Sequence, residues 1–116
     1  MAIAVGTTRQ SLATYYSTLG AWLNAATGAP GTSATPSNEA TGGSPANARK
    51  QTTWTPSTGG VVNGSAITVD VAAATYTHII LASASSGANM IDNADVTDVV
   101  MSAQGQIVIT PTYTQT

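Results

Sequence analysis

Few residues in this chain have side chains able to do chemistry. Asp92, Asp95 and Asp98 fall close together in Ile91–Asp98, beside Asn93. Their hard oxygens are of the kind that bind Ca²⁺. An EF-hand loop also needs its glycine and a distal glutamate, and both are missing here. If Val96–Ser102 is a strand, Asp98 points away from any site built on the preceding turn. The spacing therefore favours ordinary turn and solvent-facing carboxylates over a metal site. His78 is the one histidine, set within the apolar stretch Tyr76–Ser83. A lone strand histidine defines no Ser–His–Asp arrangement, and it reads as a hydrogen-bonded structural residue. Glu39 stands apart from the other acids, so no paired-carboxylate glycosidase arrangement is suggested. Gly42-Gly43 and Gly59-Gly60 are not followed by Lys-Ser/Thr, which speaks against a phosphate loop. Asn63-Gly64-Ser65 matches a glycosylation sequon in form, but Asn-Gly reads better as a hairpin turn. There is no cysteine, which excludes disulfides, thiolate metal sites and cysteine nucleophiles. The expectation is a protein that is not an enzyme and holds neither cofactor nor metal.

The charges point the same way. Arg9, Arg49 and Lys50 are the only basic residues, too few for the cationic patch that nucleic-acid binding requires. Arg49-Lys50 is the one basic pair, set either to meet an acidic patch on a partner or to solvate a strand edge. Charged residues make up 7% of the chain, against about 25% in typical globular domains. The hydrophobic fraction of 42% is ordinary, yet much of it is alanine and there is no phenylalanine. A sparse core and a weakly charged surface suit a subunit stabilised by neighbours. No apolar run reaches the ~18 residues of a membrane-spanning helix. Met1–Val5 lacks the basic region and long apolar stretch of a signal peptide, so synthesis in a cytoplasm is expected.

The elements that must position these residues form three parts. Residues 1–24 are expected to be an arm and a helix. Ile3 and Val5 alternate with alanine, as in a small strand or an arm that pairs with another chain. The helix is predicted over 8–24, capped by Thr7 or Thr8. Leu12, Tyr15, Tyr16, Leu19, Trp22 and Leu23 recur at three- and four-residue spacing. That stripe faces either the protein's own sheet or a neighbouring subunit. Residues 25–46 carry no hydrophobic period and read as a long Gly/Pro/Ser loop, either plain surface or draped over a partner. Residues 47–116 read as short strands. These are 47–55 with Trp54 as anchor, Val61-Val62 and Ser65–Val71 joined by an Asn63-Gly64 type I′ turn, a central Tyr76–Ser83, Val96–Ser102 and Gln106–Thr110. Thr112–Thr116 is expected to be an extended tail. The fold expected is mainly β: a β-sandwich or jelly roll with one N-terminal helix.

One segment carries a family resemblance. Thr41-Gly42-Gly43-Ser44-Pro45-Ala46-Asn47-Ala48-Arg49-Lys50-Gln51, followed by Thr53-Trp54, resembles the "GG-x-Y-A-R-Q-…-W" segment of small virion proteins of tailed phages, especially those of actinobacteria. Gly59–Gly64, Ile67-Thr68-Val69 and Thr77–Ala84 are similar to the hairpin and strands that follow in that family. The resemblance spans roughly residues 40–110. It departs where Asn47 replaces the family's Tyr and Lys50-Gln51 replaces Arg-Gln. It implies a virion structural protein, made in the host cytoplasm. The reading preferred is a capsid decoration (cement) protein that clamps neighbouring major capsid subunits from outside the head. The alternative is a minor tail or tail-fibre-like protein touching the host surface. Partners would be the major capsid protein and further copies of this chain, in a trimer or other homo-oligomer. Ile3, Val5, Tyr15, Tyr16, Trp22, Arg49 and Lys50 are the contact residues expected. A small hydrolase working through His78 or Asp95 is the reading least favoured by the residues.

Overall fold

The computed structural model describes Met1–Thr116. The helix α1 spans Gly6–Leu19, starting and ending earlier than its apolar spacing predicts. Val5 takes the capping position with extended backbone and no side-chain cap, so Thr7 and Thr8 lie inside the helix. At the other end Gly20 is extended, and a Cβ there would sit 2.5 Å from the Ala82 carbonyl oxygen. Glycine is required at that close approach, and the chain leaves the helix to run along the sheet. Trp22 and Leu23 consequently belong to β1 (Trp22–Ala26), not to the helix.

The predicted stripe divides: Tyr16 packs against the protein's own strands, and the rest of its helical part faces outward. Ala13 is the helix's only buried residue, while Leu12, Tyr15 and Leu19 are exposed. Gln10 anchors it: its side-chain oxygen accepts from the Gly60 and Val61 N–H groups, and its amide donates to the Val61 carbonyl.

Nine strands follow in three antiparallel sheets: β1, β2 (Lys50–Gln51), β3 (Trp54–Pro56), β4 (Val61–Gly64), β5 (Ile67–Val71), β6 (Ala74–Ala82), β7 (Met90–Met101), β8 (Gly105–Ile109) and β9 (Thr112–Thr114). The first sheet has the order β2-β1-β6-β7, the second β3-β4-β9, and the third pairs β5 with β8. The protein is thus a mainly-β domain with one N-terminal helix and several antiparallel sheets. The core lies between the first and third sheets, where Leu23, Ala25, Tyr76 and Leu81 meet Ile67, Val69, Val71 and Ile109. Strand β6 is central, as its apolar run predicts.

Several local expectations are corrected. Asn63-Gly64 is not a turn: both residues lie inside β4, neither has positive φ, and β4 pairs with β3 and β9. A Cβ on Gly64 would meet Pro111 Cγ at 2.5 Å, so this glycine serves a close approach. The hairpin turn is Ser57–Gly60, where Gly59 and Gly60 supply the positive φ. The Thr112–Thr116 tail contributes β9, paired with β4. The segment 47–55 splits into β2 and β3. Strand β7 begins at Met90, six residues before the predicted Val96, because Asp92–Asp95 continue the ladder with β6. The register slips between His78↔Asp95 and Tyr76↔Val99, a bulge in this long edge strand.

The long loop starts after Ala26 and is laid across its own sheet. Thr27 donates to the Asn38 carbonyl, Ala40 to that of Ala25, and Met90 to that of Ala34. Under it, Ala26, Ile80 and Met90 form a small second apolar cluster.

Candidate interaction surfaces

Two features stand out once the strands are placed: a hydrogen-bonded polar centre at the base of an open cavity of about 380 Å³, and an exposed apolar surface. The polar centre begins with Asn24, buried on β1. Its side-chain N–H₂ donates to Glu39 Oε2 (2.9 Å) and Asn47 Oδ1 (2.8 Å). Asn47 returns a bond to Asn24 Oδ1 (3.0 Å) and donates to the Asp70 carbonyl (2.7 Å). Glu39 in turn faces Arg49, which is 6% exposed. The guanidinium Nε and one terminal nitrogen grip the carboxylate at 2.8 and 2.9 Å. Its remaining bonds go to the carbonyls of Ala84 and Gly87 and to Asn89 Oδ1. All five N–H donors of arginine are thereby used. Burial alone would raise the Glu39 carboxyl's pKa. The hydrogen bonds from Arg49 and Asn24 and the arginine's charge outweigh that, and hold it below the usual carboxylate range.

Arg49 is thus no solvent-facing charge on a strand edge: it is buried and clamps the long loop to the 83–89 turn. Glu39, on the long loop, is fixed in place by the Ala26↔Glu39 bridge. No buried side-chain nitrogen or oxygen lacks a hydrogen-bond partner.

The aromatic residues form a second internal joint. Tyr16 stacks on Tyr113 with ring centroids 3.6 Å apart and meets Trp54 edge-on at 6.4 Å. Its hydroxyl donates to Asp92 Oδ2 at 2.6 Å. Burial, with the Asp92 hydrogen bond and charge, raises the Tyr16 pKa far above its ordinary value. Tyr16, half-buried, is therefore an internal anchor joining helix to β7 and β9. Trp54 completes the joint by donating from Nε1 to the Gly20 carbonyl at 2.9 Å. Trp22 is half-buried on β1, between Gln51 and Ala82 of the neighbouring strands.

The other expected contact residues lie differently. Tyr15 is 64% exposed, next to exposed Leu12 and Leu19 on the outer face of α1. Val5 is exposed at the foot of the helix, whereas Ile3 is partly buried. Arg9 holds this arm through the carbonyls of Ile3 and Ala4, and reaches Gly59 O at 2.9 Å. Lys50 is exposed on β2, the edge of the first sheet opposite β7.

Strand β7 exposes Ile91, Val96, Val99 and Val100, and β8 exposes Val108. Between them runs a trough of about 360 Å³, floored by Tyr76 and Ile79 and walled by Val96, Val99, Ile107 and Val108. Asp95 and Asp98 are exposed along the same edge. Asp92, Asp95 and Asp98 string out along the strand, and no group of three or more His, Cys, Asp or Glu side chains comes together in the molecule. His78 lies opposite Asp95 in the ladder and shares a hydrogen bond with Thr77 Oγ1 through Nδ1.

Sequence reasoning missed the roles of Asn24, Glu39, Asn47 and Arg9. The detectable signal was the scarcity of charge: with charged residues only 7% of the chain, Arg9, Glu39 and Arg49 each stood out. No protein family, curated protein or solved structure matches the chain.

Proposed function

We propose that this protein is a non-enzymatic structural subunit of a tailed-phage virion, and that it decorates the head by clamping neighbouring major capsid subunits. The observation that supports this reading most is the pairing of a saturated polar interior with exposed apolar surface. Arg49, Glu39 and Asn24 are bonded to one another and to the backbone around them, so their chemistry is spent on holding the fold. Leu12, Tyr15 and Leu19 on the helix, and the β7–β8 trough, are by contrast left uncovered. Contiguous exposed apolar surface marks contact with other macromolecules. The 41–54 segment that resembles phage virion proteins suggests the class of partner. A surface poor in charge favours close lateral contacts, because few charged groups must be desolvated at each interface.

In architecture, we read the packing of the first sheet on the third as a β-sandwich left open along β7 and β8. Contact with neighbours would then close it.

The test is a specific label on the intact virion under the electron microscope. Label spread over the head supports decoration, and shells lacking the protein should then burst more easily. Label confined to the tail replaces decoration with a tail role. Absence from the virion overturns both.

A further inference from the structure

We infer that the trough between β7 and β8 receives the N-terminal arm, Met1–Val5, of a second copy as an added strand. Two edges meet at this trough. Strand β7 pairs only with β6, and β8 only with β5, so each presents unpaired N–H and C=O groups. Edges of this kind template pairing with another extended chain. The trough's walls, Val96, Val99, Ile107 and Val108, are apolar, and Val108 is 64% exposed. A neighbouring strand would bury them.

The charges select the occupant. Asp95 and Asp98 are exposed on β7, and the molecule's only ion pair, Arg49–Glu39, lies elsewhere. Pairing two β7 strands, or adding an acidic segment, would bring carboxylate against carboxylate, which is destabilising. The arm carries no acidic side chain. In extended form it turns Met1, Ile3 and Val5 to one side and the small Ala2 and Ala4 to the other. The large side matches the trough floor at Tyr76 and Ile79.

The arm is available for this role. It forms no strand within its own chain, and no N–H of residues 2–5 donates to the backbone. Met1 and Val5 are both exposed. Arg9 holds the arm through its carbonyls beside Gly59, leaving its N–H groups free to pair with an edge. An arm in a neighbour's trough is a head-to-tail contact. Such contacts close into rings when the rotation permits, and the same contact repeats in every copy.

Sedimentation of the full chain over a concentration series tests this, with Ile3→Asp and Val108→Asp as variants and thermal melting as the folding control. Wild type is expected to self-associate. Each variant should weaken association about tenfold or more, the equivalent of losing about 1.4 kcal/mol, and should still unfold cooperatively, melting like the wild type at dilutions where the wild type is monomeric. Ile3→Asp keeps an intact trough and Val108→Asp an intact arm. Mixing the two should therefore restore one productive contact and give dimers. A wild type that is monomeric at every concentration overturns the inference. So does association lost with Val108→Asp but kept with Ile3→Asp, which would put another segment in the trough. Failure of the mixture to dimerise overturns it as well. The inference goes beyond the virion reading and stands apart from it: an oligomer that binds no virion would refute that reading alone.

Discussion

Replacing Arg49 with Met should destabilise the protein by about 3–5 kcal/mol, the usual cost of breaking a buried ion pair. The structure accounts for the size. The substitution removes two bonds to Glu39 and three to Ala84, Gly87 and Asn89. The Glu39 carboxylate is left with the Asn24 amide alone, in a site where its side chain is 20% exposed. For a chain of this size, about 4 °C is lost per kcal/mol, so the midpoint should fall by roughly 12–20 °C. Adding Glu39→Gln removes the stranded charge, so the double variant should recover part of the loss. The assay is thermal and urea unfolding of the four proteins of that double-mutant cycle. A loss below about 1 kcal/mol for Arg49→Met would match an exposed pair and refute the reasoning. Additive losses with no coupling would do the same.

Four further outcomes are expected. Because the folded Glu39 pKa lies below its unfolded value, the unfolded state binds more protons in that interval. The pair's contribution is present above the unfolded pKa and is lost as pH falls through the folded one. Glu39→Gln should flatten this acid limb in pH-dependent urea titrations. Gly20→Ala places a methyl group against the Ala82 carbonyl and should cost about 1–3 kcal/mol by chemical denaturation, the range for overpacking. Tyr16→Phe should cost about 1 kcal/mol through the lost Asp92 bond. Tyr16→Ala, which also removes the Tyr113 stack, should cost about 3–5 kcal/mol, and equal losses for the two would refute the stacking role. Tyr15→Ser should leave stability within about 0.5 kcal/mol. On the decoration reading it should weaken attachment to phage shells in a co-sedimentation assay.

The parts of the fold that could be read from sequence are those where one local signal dominates. The apolar run Tyr76–Ser83 identifies a central strand because no polar residue but His78 and threonine interrupts it. The helix was legible in kind but not in face or length. Leu12, Tyr15 and Leu19 have the spacing of a core stripe, yet they form the exposed side. Ala13 and Tyr16 pack inward, because small and aromatic side chains fit the space beside β3 and β4. Trp22 and Leu23 keep the helical period only by coincidence, since the Gly20–Ala82 approach has already turned the chain into β1. Asn63-Gly64 illustrates a local turn signal overridden by tertiary pairing, since Asn63 lies between Thr55 and Thr112 of the flanking strands. The polar centre was hidden because Asn24, Glu39, Arg49 and Asn89 are widely separated along the chain. Only the folded loop brings them together.

The strand order carries a kinetic consequence. Only β1–β2, β3–β4 and β6–β7 are neighbours in both sequence and sheet, the first of them across the long loop, whereas β1 also waits for β6, β5 for β8 and β4 for β9. Pairings that close long loops slow folding, toward the millisecond-to-second range of all-β domains. The β6–β7 hairpin can form early, but the third sheet that covers its inner face needs β8, made later. During that interval β7 presents its valines and an unsatisfied edge to any extended chain nearby. Yield is then governed less by how stable the finished subunit is than by how crowded the unfinished ones are.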